Sequence, residues 1–315
     1  MTRQELKKIF YIEDINQNRV FPMLPAYDDD AKFHYWIEKN GIITELLAEP
    51  ILGDYFSKIK QSENDYYFEF LDFFYQKLLI PDLEHIINSI SNDIHNLSAS
   101  LDQIDLFYKL SLLDEYKKDY QKFVLLKRYI ITEIEYIFIS CRSMYDLLQK
   151  IIRATWKRIK FIDTTSKKRE LPTSFRECVI SNEKLLSKDE ITKKYLLSDK
   201  LSEYYVSEGQ VFKKIRDFRV KIEHDGLTPD KIFISDNGFS IYSEYKSFKE
   251  FNIWKEETFL PNNLAPLKPI LAYVIYSTIN AMNKFVNAIE KEIIFMKKVA
   301  PEYKLFMRGP ATSQL

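Results

Sequence analysis

The sequence predicts an all-α protein: an up-and-down helical bundle with an N-terminal helical extension and one small inserted β-hairpin. Three observations lead there. Only six Gly occur in 315 residues, and none lies between Gly53 and Gly209. No Pro lies between Pro81 and Pro172. A sheet-rich chain needs turn residues every ten or so positions, and this stretch lacks them. Finally, apolar residues from Leu101 to about Phe161 recur at helical steps, among them Leu106, Leu110, Leu113, Ile130, Ile134, Ile137, Phe138, Met144, Leu148 and Ile152.

Taken in order, residues 1–100 form the expected helical extension. Pro22, Pro25 and Asp28-Asp29-Asp30 read as a solvated loop, followed by short helices near Phe33–Lys39 and Thr44–Lys60. From Tyr66 to His95 the period is helical again, and Pro81 starts or kinks a helix. Residues 101–300 form the bundle. One helix runs to about residue 119, and a long one follows until Asp163-Thr164-Thr165-Ser166 ends it. A connection and a short helix near Lys184–Tyr195 lead to a helix from about Gln210 to His224, closed by Asp225-Gly226. Ile232–Ser235 and Phe239–Tyr242 flank Asp236-Asn237-Gly238, a hairpin signal that spans 231–243. A last helix covers roughly Pro266–Val299, and residues 301–315 form a frayed tail.

Apolar residues make up 46% of the chain, which excludes a disordered one. Lys plus Arg equal Asp plus Glu at 46 each, so any nucleic-acid contact must come from local patches. Cys141 and Cys178 form neither a disulfide framework nor a metal-ligand spacing, and both are expected reduced and buried. There is no apolar signal core and no uncharged apolar run of about 18 residues, so the expectation is a cytoplasmic protein without a membrane partner.

Chemistry concentrates in the segment from Phe212 to Gly226. Val211, Phe212, Ile215, Phe218 and Ile222 make an apolar stripe, which leaves the Arg and Lys side chains to point outward. Arg219 and His224 lie about 140° apart on a straight helix, yet a long Arg side chain and a terminal His can converge on one groove. The same residues also allow a plain reading. His is favoured at a helix C-terminus, and Arg219 with Glu223 is an ordinary i,i+4 pair.

This segment resembles the Arg-x4-His motif of the HEPN superfamily, helical-bundle proteins of prokaryotic defence and toxin–antitoxin systems. Arg219 and His224 match the two signature positions, Arg216 and Asp217 the frequent preceding pair, and Gly226 the trailing glycine. Val220 departs from the pattern, since many active members carry a polar residue there. The resemblance covers about residues 104–299. It implies a metal-independent endoribonuclease without cofactor, formed at a homodimer interface, and a partnership with RNA and with an antitoxin or defence-system protein. A ribose 2′-hydroxyl would attack the adjacent phosphodiester and leave a cyclic phosphate. His224, whose ordinary pKa is ~6.5, would exchange the proton, and the Arg219 guanidinium would receive the developing phosphorane charge.

Two further features bear on that site. Among Glu135, Arg142 and Asp146, the last is the chosen supporting residue, because a carboxylate in an apolar stretch needs a cation such as Arg219. A local Arg142–Asp146 pair explains it equally well. Lys150, Arg153, Lys157 and Lys160 share one helix face and, with Arg216, suit an RNA backbone. A solvated helix face remains open for them, as core packing does for Trp156. Two rival functions also stand: a catalytically silent HEPN-type scaffold that binds RNA, a nucleotide or a protein, and an unrelated helical interaction protein.

Overall fold

The computed structural model describes residues 9–11, 24–39, 42–46, 53–77, 81–158, 170–225, 231–244, 246–309 and 312–315. The chain divides into two compact units. The first draws on Met1–His95, Ile151–Glu170 and Met282–Ser313, the second on Asn96–Lys150, Leu171–Ala281 and Gln314–Leu315.

The first unit overturns the all-α helical-bundle expectation. Strands β1 (Ala26–Tyr27), β2 (Phe33–Lys39), β3 (Ile42–Leu46), β4 (Gly53–Ser57), β5 (Tyr66–Tyr67) and β11 (Lys304–Arg308) form one six-stranded sheet in the order β3-β2-β1-β4-β11-β5. The sheet is mixed: β1 runs parallel to β4 with Ala26 opposite Phe56, and the other pairs are antiparallel. The protein is therefore α/β, and the stretches expected as helices near Phe33–Lys39 and Thr44–Lys60 contain strands instead. Aromatic and β-branched residues dominate Phe33–Ile37 and Ile42–Thr44, and such side chains pack well on a pleated surface. Lys39 lies opposite Ile42, so only Asn40-Gly41 separates β2 from β3. That dipeptide is the same kind of hairpin signal as the one at 236–238.

The acidic triplet belongs to the β1–β2 connection. Asp28 accepts bonds from the amides of Asp30 (3.0 Å) and Lys32 (2.8 Å). His34 reaches Glu45 (2.6 Å) and Asp28 (3.2 Å). Partial burial works against charge on this imidazole, but its two carboxylate partners outweigh that and raise its pKa.

Strand β11 lies in the span expected to fray, and helix α1 (Glu69–Lys77) secures the chain leading into it. Gln76 is wholly buried. It donates to the carbonyls of Ala300 (2.9 Å) and Tyr303 (2.8 Å) and accepts from the Ala300 amide (2.9 Å). Asp72, also buried, accepts from the Leu305 amide at 2.8 Å. Both side chains satisfy backbone groups that no strand partner reaches, as buried polar atoms require.

The long helices fall largely where the apolar period puts them: α2 (Pro81–Ser111), a short α3 (Asp114–Lys118) and α4 (Tyr120–Arg158). Next come α5 (Phe175–Val179), β6 (Ile180–Ser181), β7 (Lys184–Leu185), α6 (Lys188–Tyr195) and α7 (Asp199–Asp225). Helix α7 begins well before Gln210 because Gly209 does not break it. A Cβ at Gly209 would sit 3.2 Å from that of Val179, so this glycine permits close packing of α7 on α5. The expected hairpin forms as β8 (Ile232–Ser235) and β9 (Gly238–Tyr242). Gly238 adopts φ 131°, and β10 (Leu264–Pro266) adds a third strand. After α8 (Lys246–Lys249), the last helix, α9 (Leu267–Ile289), ends ten residues short of Val299. Among the described residues no helix is long and apolar enough to cross a membrane. Both cysteines are buried and free.

Candidate functional site

Helix α7 carries the motif, and its apolar stripe fixes how the helix is turned. Phe212, Ile215 and Phe218 are each at most 1% exposed. Phe218 stacks on Phe138 of α4 at 3.7 Å between centroids, and Phe212 meets Tyr145 and Phe175 edge-on or tilted. With that face inward, Lys213, Arg216, Asp217, Arg219 and Val220 are all left half-buried. His224 occupies the last helical turn, but its side chain, like that of Ile222, lies outside the described residues.

Arg216 is held by two carboxylates. Its Nη1 lies 2.7 Å from Glu183 and 3.1 Å from Asp217, and its Nη2 lies 3.3 Å from Glu183. Glu183 also accepts from Nη2 of Arg176 at 2.8 Å. Asp217 in turn pairs with Lys213. Bonds from Arg216 first, and then from Arg176, pull the Glu183 carboxyl down to about 2. Such a depressed pKa favours the folded state above the ordinary value of 4.5, and the contribution is lost as pH falls toward 2, but solvent screening of this 62% exposed side chain keeps it small. Titrating the Glu183 side-chain carbon by NMR should give a midpoint near pH 2. In Arg176→Ala the midpoint should move back toward 4.5, and an unmoved midpoint would show that Arg176 does not hold this carboxylate.

Asp146 is placed by other partners than the one chosen from the sequence. It pairs with Arg142 at 2.8 Å, one helical turn earlier, and accepts from the Phe175 amide at 3.2 Å, at the first residue of α5. The local pairing therefore forms. Of the basic stripe, Lys150 is exposed and Arg153 pairs with Glu170, while the side chains of Lys157 and Lys160 lie outside the described residues. Trp156 is buried.

Sequence reasoning missed Arg176 and Glu183. The signal was present: Ser181-Asn182-Glu183-Lys184 sits between Val179-Ile180 and Leu185-Leu186, a small polar turn between short apolar runs. It forms the β6–β7 hairpin, in which Ser181 faces Lys184. Among the described residues no group of three or more His, Cys, Asp or Glu has the arrangement to hold a metal ion. A cavity of ≈ 790 Å³ in the second unit is lined by Leu101, Asp105, Lys268, Tyr273 and Tyr276 among others, and none of the described motif side chains lines it.

No family model, curated protein or solved structure matches this chain. Its functional reading rests on the residues of α7 and their surroundings.

Proposed function

We propose that this chain is a metal-independent endoribonuclease of HEPN type, acting in the cytoplasm as a homodimer in a toxin or defence context, with Arg219 and His224 at its reactive centre. The observation that supports it most is the turning of α7. Phe212, Ile215 and Phe218 are buried, while Arg216 and Arg219 stay half-buried along the flanks of that stripe, on the helix whose last turn carries His224. In this reading the imidazole takes the ribose proton, the Arg219 fork stabilises the phosphorane, and Lys150 adds backbone attraction for RNA. Asp146 acts indirectly, by fixing Arg142 and the start of α5.

The test is cleavage of single-stranded RNA in EDTA. The wild-type chain should yield 2′,3′-cyclic phosphate ends. His224→Ala should lose at least about a hundredfold in rate, the lower end of what a general acid–base group supplies, with an unchanged circular dichroism spectrum. Cleavage at the wild-type rate in His224→Ala removes this histidine from the reaction and overturns the proposal.

A second reading is a non-cleaving RNA-binding scaffold. One observation favours it: Arg216 and Asp146, two of the polar groups nearest the motif in the sequence argument, are engaged in internal ion pairs. Val220, in place of a polar residue, points the same way. RNA binding without cyclic-phosphate product would select this reading.

A further inference from the structure

Two guanidinium groups from different elements converge on one carboxylate at the tip of the β6–β7 turn. Arg176 rises from α5 and Arg216 from α7, and together they present three nitrogens to Glu183 at 2.7–3.3 Å. Paired planar forks around one oxyanion suit a phosphate as well as a carboxylate. Arg176 also keeps a buried donor, Nε, without a hydrogen-bond acceptor among the described residues.

The carboxylate sits on a backbone that does not suit it. Asn182 and Glu183 both have positive φ, 48° and 59°. Asn tolerates that region and Gly is at ease there, but Glu carries the full steric penalty of a Cβ. A two-residue hairpin turn of this kind favours Asn-Gly, and this chain has Asn-Glu. Exposed ion pairs add little stability, because solvent screens them and long side chains lose freedom in forming them. Stability alone therefore leaves the choice of Glu at this position without a reason.

Its exposure supplies one. The Glu183 side chain is 62% exposed, whereas that of Arg216 beneath it is 16% exposed. An incoming anion can displace the carboxylate from the solvent side without opening the core. With Glu183 in place, Arg176, Arg216 and Lys213 face two carboxylates, Glu183 and Asp217. With Glu183 swung away they face only Asp217, and the cluster gains a further unit of positive charge.

We infer that Arg176 and Arg216 form a binding site for one phosphodiester of an RNA strand, and that Glu183 occupies this site in the free protein as a tethered competitor. The site rests on the proposed RNA-directed function for the identity of its anion. Its position fits that function: residues 216 and 224 are ~12 Å apart along the axis of α7, so a strand gripped at Arg216 runs close to the end of the motif helix. RNA would then have to displace Glu183 to engage fully, which weakens casual binding by small anions.

The test uses the full chain and a fluorescein-labelled 2′-O-methyl RNA 20-mer, whose methylated 2′ oxygen cannot attack the neighbouring phosphodiester, with anisotropy read at fixed salt. Glu183→Gln and Glu183→Gly should each tighten binding about three- to tenfold, and the slope of log K against log salt should steepen by about 0.7, one phosphate's worth. Glu183→Gly relieves the turn and so serves as the variant least able to disturb folding. Arg176→Ala should weaken binding, and Glu183→Gln added to it should restore nothing. Equal or weaker binding by both Glu183 variants overturns the proposal, as does tightening that persists without Arg176. Thermal stabilisation of Glu183→Gln by inorganic phosphate, with no gain in RNA affinity, would assign the site to a small phosphate and overturn the RNA assignment. The nuclease reading is judged separately. Tighter binding with no cyclic-phosphate product on ordinary RNA keeps the clamp and removes the nuclease. His224-dependent cleavage with unchanged affinity in Glu183→Gln does the reverse.

Discussion

Arg308→Met should destabilise the six-stranded sheet by about 3–5 kcal/mol, the range for removing one partner of a buried ion pair. Arg308 ends β11, and its guanidinium reaches Asp65 through Nε at 3.2 Å. The Asp65 side chain is 1% exposed. It also accepts from the Tyr55 hydroxyl and, at 2.7 Å, from the Ser62 amide. On its other side the guanidinium donates to the Tyr27 hydroxyl at 2.6 Å. It also lies over the rings of Tyr27 and Tyr55, 5.2 and 4.8 Å from their centroids. Methionine keeps most of the volume but strands the carboxylate, and an uncompensated buried charge is what makes such a substitution expensive. Hydrogen exchange at the Phe306 and Met307 amides is the direct readout, since these two residues pair with both β4 and β5. Adding Asp65→Asn should return a large part of the loss, because it removes the stranded charge. Protection in Arg308→Met equal to wild type would mean that the ion pair contributes nothing to holding β11.

Phe218→Ala should cost about 3–5 kcal/mol in the second unit, from lost transfer energy and the cavity left behind. The ring is 1% exposed and meets Phe138 at 3.7 Å with planes 19° apart, and Phe248 lies 5.0 Å away. Because Phe218 stands between Asp217 and Arg219, the same substitution loosens the helix segment that sets the cationic face. RNA affinity should therefore fall along with the melting temperature, while Phe218→Leu should retain most of both. A stable Phe218→Ala protein, melting within a degree or two of wild type, would show that α7 is oriented by something other than its aromatic stripe.

The helical part of the fold was legible because its information is local. Apolar residues at steps of three and four place α2 and α4, Pro81 opens α2, and Asn237-Gly238 identifies the β8–β9 hairpin. The same local reading failed on residues 33–57. Their strands are short, the chain is poor in Gly overall, and one Asn-Gly pair at 40–41 carries little weight against that background. Strand β11 carries no local sign at all. Lys304-Leu305-Phe306-Met307-Arg308 becomes a strand because β4 and β5 offer it unpaired edges, because Gln76 bonds the chain that leads into it and because Asp72 accepts from the Leu305 amide within it.

The candidate site divides in the same way. By itself the sequence determined that Phe212, Ile215 and Phe218 form a buried stripe and that Arg216 and Arg219 flank it, half-buried, since helical periodicity fixes which side chains share a face. Only the tertiary structure decided their partners. It gave Asp146 to Arg142 and Phe175, and it brought Glu183 and Arg176 to Arg216 from elements distant in sequence. The physical reason is that a charged side chain on a half-buried face takes whichever counter-charge the fold delivers. That choice depends on long-range packing, to which residue spacing along one helix is blind.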